Sequence, residues 1–257
     1  MYREHSVAVV LPAFNEDRLL PETLRGLPRF VDRVFVVDDG STDKTVEVAQ
    51  HLNDSRIHII QHGRNQGVGR AITSGYKAAL MAQVDLTVVM GADNQMSPAE
   101  IHTLLDPLID GHADYTKGNR LGPPHFGKNM PIVRRVGTRA LAYLTGFATG
   151  LSGLMDSQCG FTAATSRCLR RLPLDSLFHG YGYPNDLLSL MAVHRQRVRD
   201  VVVTPIYQTE TSNLRIHKVL IPILGILIRA GLRRLKMMTK PISTLPPTNG
   251  PKDLECS

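Results

Sequence analysis

Tryptophan is absent from the 257 residues, and aromatic residues make up only 5% of them. The basic stretches contain few aromatic side chains on which bases could stack, and no RNA-recognition or helix-turn-helix signature is present. We therefore expect no nucleic acid among the partners. The three cysteines, Cys159, Cys168 and Cys256, have neither metal-site nor C-x-x-C spacing. This pattern predicts reduced thiols and a protein at a cytosolic face.

A long apolar run is missing as well. The run at 219–228 has ten residues and is interrupted by Pro222 and Gly225, whereas a membrane-spanning helix needs about 20. The polar residues 1–6 do not resemble a secretory leader. We therefore predict a segment that lies at a membrane surface without crossing it, or that docks on a membrane-embedded partner subunit.

The net charge of +7 is concentrated in one place, because the span 214–240 contains seven Lys or Arg residues and no acid. The residues expected to face anionic lipid headgroups there are Arg229, Arg233, Arg234, Lys236 and Lys240. A second acid-free span, 115–155, contains Lys117, Arg120, Lys128, Arg134, Arg135 and Arg139. Charge segregated in this way indicates an anionic partner: a membrane surface, a phosphorylated substrate or nucleic acid.

Residues 129–151 mix apolar and basic side chains at helical spacing. The pattern is typical of a helix that lies on a bilayer with its apolar side down and its basic groups toward the headgroups. An ordinary amphipathic helix packed on a sheet is the alternative.

Strand, polar turn and helix alternate through the first half of the sequence. The predicted strands are 6–11, 33–37, 56–61 and 86–90, and the predicted helices include 45–52 and one that ends near Met81. Repeated units of this kind predict an α/β fold with a Rossmann-like, mostly parallel sheet flanked by helices.

The polar residues after the fourth predicted strand form the first candidate site. The buried run 86–90 breaks at Gly91 and delivers Asp93, Asn94 and Gln95 to the carboxyl end of the strand, where open α/β sheets bind ligands. Carboxylate and amide oxygens suit a divalent cation. A turn that caps the next helix is the alternative.

Two earlier turns have chemical uses if this half binds a nucleotide. Asp39 could accept hydrogen bonds from a base or ribose, and Gly67 and Gly69 could let backbone N–H groups approach a diphosphate. The alternative is that these are ordinary strand-to-helix turns. The GVG sequence at 67–69 does not complete G-x-G-x-x-G, so a dinucleotide site is not supported.

Taken together, the motifs resemble glycosyltransferase family 2, whose members have the GT-A fold. They are PAFNE (12–16), VVDDGSTD (36–43), GRNQGVGRA (63–71) and GADNQ (91–95). Later motifs resemble the polyprenyl-phosphate glycosyltransferases of the dolichyl-phosphate mannose and glucose synthase type; they are KGNRL (117–121), the Arg134 region, DSQCGF (156–161) and YGYPNDLL (181–188). The resemblance implies inverting transfer of a sugar from a UDP- or GDP-sugar to a lipid phosphate.

The metal motif of this family is usually Asp-x-Asp with a Gln two residues later. Here Gly91 replaces the first acid, so the matched metal ligands are Asp93 and Gln95. The implied cofactor is Mg²⁺ or Mn²⁺, with one carboxylate fewer than usual.

The resemblance also implies the other site residues. Those matched to nucleotide-sugar binding are Pro12, Ala13, Asn15, Glu16, Asp39, Gly67 and Asp93. Those matched to the acceptor phosphate are Lys117, Arg120, Arg134 and Thr138. The catalytic candidates are Asp93, Asp156 and Asp186, of which Asp186 has a helix N-cap as its alternative role, and Arg120 and Arg134 could instead be solvated charges.

We predict a GT-A domain over 1–212, with a nucleotide-sugar half (6–115) and an acceptor half (116–212). Amphipathic membrane-associated helices would follow at 213–240, and a disordered tail at 241–257. The predicted enzyme is peripheral, at the cytoplasmic face of a membrane. A glycosyltransferase with a soluble anionic acceptor and a non-catalytic nucleotide-sugar-binding protein are the alternatives.

Overall fold

The computed structural model describes residues 1–123, 130–206 and 216–239 of the chain. These residues form a seven-stranded sheet of order β3-β2-β1-β4-β6-β5-β7. The strands are β1 (Val7–Ala13), β2 (Arg33–Asp38), β3 (Ile57–Gln61), β4 (Leu86–Val89), β5 (Tyr115–Asn119), β6 (Thr162–Thr165) and β7 (Val198–Val202). Pairing is parallel except at β6, which runs antiparallel to both β4 and β5. The predicted, mostly parallel sheet is confirmed, and the four predicted strands differ from β1–β4 by at most two residues at either end.

The helices alternate with the strands. They are α1 (Leu20–Arg25), α2 (Thr45–His51), α3 (Val68–Met81), α4 (Ile101–Ile109), α5 (Ile132–Thr149), α6 (Ser166–Arg171), α7 (Tyr183–Val193) and α8 (Ile216–Met238). Both faces of the sheet are covered, as buried parallel strands require. Side chains from α1, α2 and α4 pack on one face, and side chains from α3, α6 and α7 pack on the other.

The order of the strands positions a ligand site. β2 lies on one side of β1 and β4 lies on the other, so the turns that leave β1 and β4 diverge. A crevice at the carboxyl ends of the strands is the usual consequence of such a reversal. The motifs that end β1, β2 and β4 therefore face the same side of the molecule.

Helix α5 exposes its large apolar side chains and buries small or hydroxylated ones, the reverse of an amphipathic helix packed on the core of a water-soluble protein. Its buried side chains are small or hydroxylated: Thr138, Ala142, Thr145 and Thr149. Its exposed side chains include the large apolar residues Ile132, Val133, Val136, Tyr143, Leu144 and Phe147. The alternative in which this helix packs its apolar side on the sheet is therefore wrong.

Helix α8 continues through Pro222 and Gly225 and has apolar side chains on both its buried and its exposed face. Leu224, Ile228, Leu232 and Leu235 are exposed, whereas Ile223, Ile226 and Ala230 are buried. No described helix combines the length and the apolarity that crossing a bilayer requires.

Three arginines of α8 bond to other parts of the protein. Arg229 and Arg233 form ion pairs with Asp186 of α7, and Arg234 donates a hydrogen bond to the carbonyl of Phe147. The expectation that Arg233 faces lipid headgroups is therefore wrong, because its side chain is mostly buried against Asp186, whereas the same expectation for Arg229 and Arg234 stays a prediction. Lys128, Lys240 and the predicted tail at 241–257 lie outside the described residues.

Candidate active site

The turn that ends β1 is bonded to the turn that ends β2. Asn15 has φ 58°, and its side-chain oxygen accepts a hydrogen bond from the Thr42 amide at 2.9 Å. The Glu16 amide donates to the buried Thr45 hydroxyl at 2.8 Å. Within β1, Pro12 and Ala13 lie opposite Val37 and Asp38 of β2. The nucleotide-sugar motifs predicted at 12–16 and 36–43 therefore form one rim of the crevice.

Asp39 organises the turn that leads into α3. It is buried and accepts hydrogen bonds from the backbone amides of Gln66 and Gly67, at 3.0 and 2.8 Å. Its Oδ1 also lies 2.7 Å from Nδ1 of His62, whose Nε2 lies 3.0 Å from the Ser74 hydroxyl. Sequence reasoning missed His62, although its position directly after β3 was a signal. The contact of Asp39 with a base or ribose stays a prediction.

The two glycines of this turn make room for backbone rather than for phosphate. A Cβ on Gly67, which has φ +96°, would lie 2.5 Å from the carbonyl oxygen of His179, and one on Gly69 would lie 2.0 Å from that of Phe178. The Gly67 amide donates to Asp39, and the Gly69 amide donates to His179 at 2.7 Å. The expectation that these N–H groups bind a diphosphate is therefore wrong, because the protein already uses them.

Asp93 lies in the loop after β4, with its carboxylate folded over Gly91. Its Oδ1 accepts a hydrogen bond from the Gln95 amide at 3.2 Å, and a Cβ built on Gly91 would lie only 2.6 Å from the same oxygen. Restoring an acid at position 91 would therefore displace Asp93. The helical turn that follows, Pro98–Glu100, has Ser97 as its N-cap, so the helix-capping alternative for Asp93 is wrong.

The side-chain oxygens of Asp93 and Gln95 supply only part of the ligands that a hard cation needs. Among the described residues, no group of three or more His, Cys, Asp or Glu side chains could hold a metal ion. Mg²⁺ is commonly bound by one or two carboxylates together with substrate phosphates. Asp93, with Gln95 beside it, fits that arrangement once a diphosphate supplies further oxygens.

A small cleft of about 20 Å³ lies between the acceptor half and the loop 90–97 after β4, which we call the donor loop because its motif is predicted to bind the nucleotide-sugar. Its lining residues are Gln95, Met96, Arg120, Cys159, Phe161, Val203, Thr204, Pro205 and Ile206. Backbone contacts hold the donor loop against the segment after β7. The Ile206 amide donates to the Gln95 carbonyl at 3.1 Å, and Met96 and Pro205 form an isolated antiparallel β-bridge. Gln95 and Arg120 therefore face one space.

Arg120 follows β5 and is held by Asp156. Its Nε lies 2.6 Å from one carboxylate oxygen, and its Nη2 lies 3.0 Å from the other. Burial alone would raise the pKa of Asp156, but the charges of Lys117 and Arg120, with the hydrogen bond from Arg120, lower it to about 2. Asp156 is therefore ionised at neutral pH and orients the guanidinium group.

Lys117 lies in the protein interior, whereas the resemblance implied that it contacts the acceptor phosphate. Its side chain has no solvent-exposed surface, and its Nζ is buried without a hydrogen-bond partner in the described part of the chain. In the sheet it lies opposite Asp200 of β7, and burial raises the pKa of Asp200. Direct contact of Lys117 with an acceptor phosphate is therefore contradicted by its burial; its charge acts on Asp156 instead.

Asp186 is a fully buried residue in the first turn of α7. Gly182 is the N-cap of that helix, so the N-cap alternative for Asp186 is wrong. Its carboxylate accepts hydrogen bonds from the Phe178 amide at 2.9 Å, from Arg229 at 3.0 Å and from Arg233 at 2.7 Å. These contacts give Asp186 a role in docking α8.

Arg134 and Thr138 lie on successive turns of α5, beyond the undescribed segment 124–129. Arg134 is exposed and Thr138 is buried. Their predicted contact with an acceptor phosphate stays a prediction.

The order of these turns matches that of a known protein family. The sequence model described as Glycosyl transferase family 2 matches residues 8–178, which is more than half of the chain. The chain belongs to glycosyl transferase family 2. It is therefore a glycosyltransferase, and the prediction of an enzyme of this family is confirmed.

Similarity to individual family members extends over most of the chain. The chain is 29% identical over 246 residues to UDP-N-acetylglucosamine–dolichyl-phosphate N-acetylglucosaminyltransferase of Methanococcus voltae, covering 90% of this chain and 96% of that protein. It is 30% identical over 203 residues to undecaprenyl-phosphate mannosyltransferase of Micrococcus luteus, covering 77% and 82%.

A solved structure confirms the predicted GT-A fold. Glucosyl-3-phosphoglycerate synthase from Mycobacterium tuberculosis, in complex with Mn²⁺, uridine diphosphate and phosphoglyceric acid, matches with a TM-score of 0.66 and 20% identity. The match covers 93% of this chain and 81% of that one.

Proposed function

We propose that this family 2 glycosyltransferase transfers a sugar from a UDP- or GDP-sugar to a polyprenyl phosphate of the dolichyl type. The observation that carries the proposal is the cleft shared by Gln95 of the donor loop and Arg120 of the acceptor half. The family 2 relatives named above, which act on dolichyl and undecaprenyl phosphates, support the same acceptor class.

The donor would bind at the carboxyl ends of β1, β2 and β4. The rim built from Asn15, Glu16 and the turn after β2 would surround the nucleoside, and Asp93 and Gln95 would hold Mg²⁺ or Mn²⁺. When bound, the cation neutralises the departing nucleoside diphosphate and polarises its bond to the sugar.

The acceptor needs orientation more than activation. A phosphate monoester, with a second pKa near about 6, is already anionic at neutral pH. One of its oxygens bonds to the anomeric carbon while the bond from that carbon to the diphosphate breaks, with inversion. Arg120, oriented by Asp156, and Arg134 bind the phosphate, since guanidinium groups hold two of its oxygens at once.

The exposed apolar faces of α5 and α8 support a peripheral position on a membrane. Tyr143 and Phe147 are each 75% exposed, and Leu224 and Ile228 extend the surface on α8. Burial of these side chains at the lipid interface offsets the cost of exposing them to water. The cytoplasmic leaflet and a membrane-embedded partner subunit stay proposals.

Release of nucleoside diphosphate from a panel of UDP- and GDP-sugars tests the function. The assay is run with Mg²⁺ or Mn²⁺, with and without polyprenyl phosphate in detergent micelles. Release that requires the lipid phosphate for one donor supports the proposal and identifies the sugar. Release that requires a soluble anion such as phosphoglycerate instead would establish the soluble-acceptor alternative.

A further inference from the structure

A chain of buried and partly buried polar contacts joins α5 to the Arg120–Asp156 pair. We infer that Asn185 of α7 is a positioning residue for the acceptor phosphate, which fixes α5 relative to Arg120 by bonding to Thr145 of α5 and to Gln158 in the loop after Asp156. The inference rests on the proposed function, because it concerns how the acceptor site is assembled.

Asn185 is fully buried and bonds in two directions. Its amide nitrogen donates to the hydroxyl of Thr145, on the buried face of α5, at 3.1 Å. Its amide oxygen accepts a hydrogen bond from the side chain of Gln158. One side chain therefore contacts both α5 and the loop that follows Asp156.

Gln158 completes the connection to Arg120. Its backbone amide donates to Oδ1 of Asp156 at 3.1 Å, and that same oxygen lies 3.0 Å from Nη2 of Arg120. Buried polar networks of this kind are rigid when every member is satisfied, and they lose much of their order when one partner is removed. Removal of the Thr145 hydroxyl should therefore reduce the order of the hydrogen bonds around Asp156.

The connection matters because the two proposed phosphate ligands lie on separate elements. Arg120 follows β5, whereas Arg134 is on α5. The distance between their guanidinium groups depends on where α5 sits against α7. Asn185 fixes that position, and the next residue, Asp186, fixes α8 through Arg229 and Arg233.

Isosteric changes on α5 test the inference without placing a cavity or a charge in the core. Thr145→Val removes the hydroxyl that Asn185 contacts. Thr149→Val is the matched control, because both hydroxyls lie on the buried face and donate to a carbonyl of their own helix at 2.7 Å. Of the two, Thr145 alone accepts a hydrogen bond from Asn185. Thr145→Ser keeps the hydroxyl and should restore wild-type behaviour.

Steady-state kinetics provide the first readout. We expect Thr145→Val to raise the KM for polyprenyl phosphate about fivefold, as the loss of one buried hydrogen bond implies, with the KM for the nucleotide-sugar unchanged. Thr149→Val and Thr145→Ser should match the wild type in both values. Equal changes in both KM values, or equal effects of Thr145→Val and Thr149→Val, would overturn the inference.

Hydrogen exchange gives a second readout that needs no turnover. In Thr145→Val we expect faster amide exchange in the peptide 155–161, which contains the Gln158 amide, and no change in Thr149→Val. Unchanged exchange in Thr145→Val would refute the connection. If the wild type shows no turnover dependent on lipid phosphate, the proposed function fails, and the exchange result still decides whether α5 and Asp156 are coupled.

Discussion

The guanidinium group of Arg120 contacts both carboxylate oxygens of Asp156, at 2.6 and 3.0 Å. Asp156 is fully buried, whereas the Arg120 side chain keeps 16% of its surface exposed and lines the cleft that Gln95 also lines. A buried carboxylate thus orients a cation that reaches the cleft. The predictions below begin from this pair.

Replacing Arg120 with lysine keeps the charge but removes the two-pronged contact. Since lysine cannot reproduce the fork geometry, we expect Arg120→Lys to raise the KM for polyprenyl phosphate about tenfold or more, with little change in the KM for the donor. Steady-state kinetics with each substrate varied in turn measure the two values.

Arg197→Lys is the matched control for this change. Arg197 makes the same two-pronged contact with Asp114, at 3.0 Å for each pair of atoms, near the start of β5 and away from the cleft. The Arg197→Lys variant should be less stable than the wild type, with no change in the KM for either substrate. Equal effects of the two substitutions on the lipid-phosphate KM would count against the acceptor role of Arg120.

The pKa of Asp156 predicts a specific loss of stability in acid. The pKa is lowered from 3.8 to about 2 in the folded protein, so the ionised carboxylate stabilises the fold above pH 4. That contribution, about 2 kcal/mol, is lost as the pH falls through 4 toward 2. The free energy of unfolding of the wild type should therefore fall by about 2 kcal/mol more between pH 5 and pH 2 than that of Asp156→Asn. Parallel pH profiles for the two proteins would contradict this account.

Asp93 is the one carboxylate that we assign to the metal. Asp93→Asn should lower metal-dependent transfer about 100-fold or more, because a charged oxygen ligand to the cation is lost, and the far-ultraviolet circular dichroism spectrum should not change. Asp175→Asn, which alters an exposed carboxylate paired with Lys77 and Arg70, should have wild-type activity. Full turnover of Asp93→Asn with the metal requirement intact would remove Asp93 from the site.

The exposed apolar face of α5 predicts binding to lipid bilayers. Tyr143→Glu places a charge in the middle of that face, and we expect it to lower co-sedimentation with phosphatidylcholine–phosphatidylglycerol vesicles about tenfold. Met81→Glu changes a side chain that is 84% exposed at the end of α3 and should bind as the wild type does. If both variants sediment as the wild type does, α5 is not the membrane contact.

Local sequence patterns were sufficient to predict the first four strands and the turns between them. Each depends on neighbouring residues alone: an apolar run such as 86–89 is buried, and a glycine or aspartate ends it. The outward apolar face of α5 was predicted for the same reason. Antiparallel β6 was not predicted, because the short sequence Thr162–Thr165 has no pattern that sets its direction.

The errors concern contacts between residues far apart in the sequence. Arg233 resembles a solvated charge in a basic segment, yet it bonds to Asp186, 47 residues away. Gly67 and Gly69 resemble a phosphate-binding turn, yet they accommodate the backbone of 178–179. Burial of Lys117 likewise depends on its neighbours β6 and β7. Such partners are set by the packing of whole elements, which local patterns do not specify.

Analysis of the lipid product is the most direct test of the central claim. The wild-type enzyme is incubated with the donor that supports turnover, a divalent cation and polyprenyl phosphate, and the lipid is extracted and analysed by mass spectrometry and NMR. We predict a polyprenyl phosphate that is heavier by one sugar residue, with the anomeric configuration opposite to that of the donor. Nucleoside diphosphate release with unmodified lipid, or a sugar found only on a water-soluble acceptor, would contradict the account.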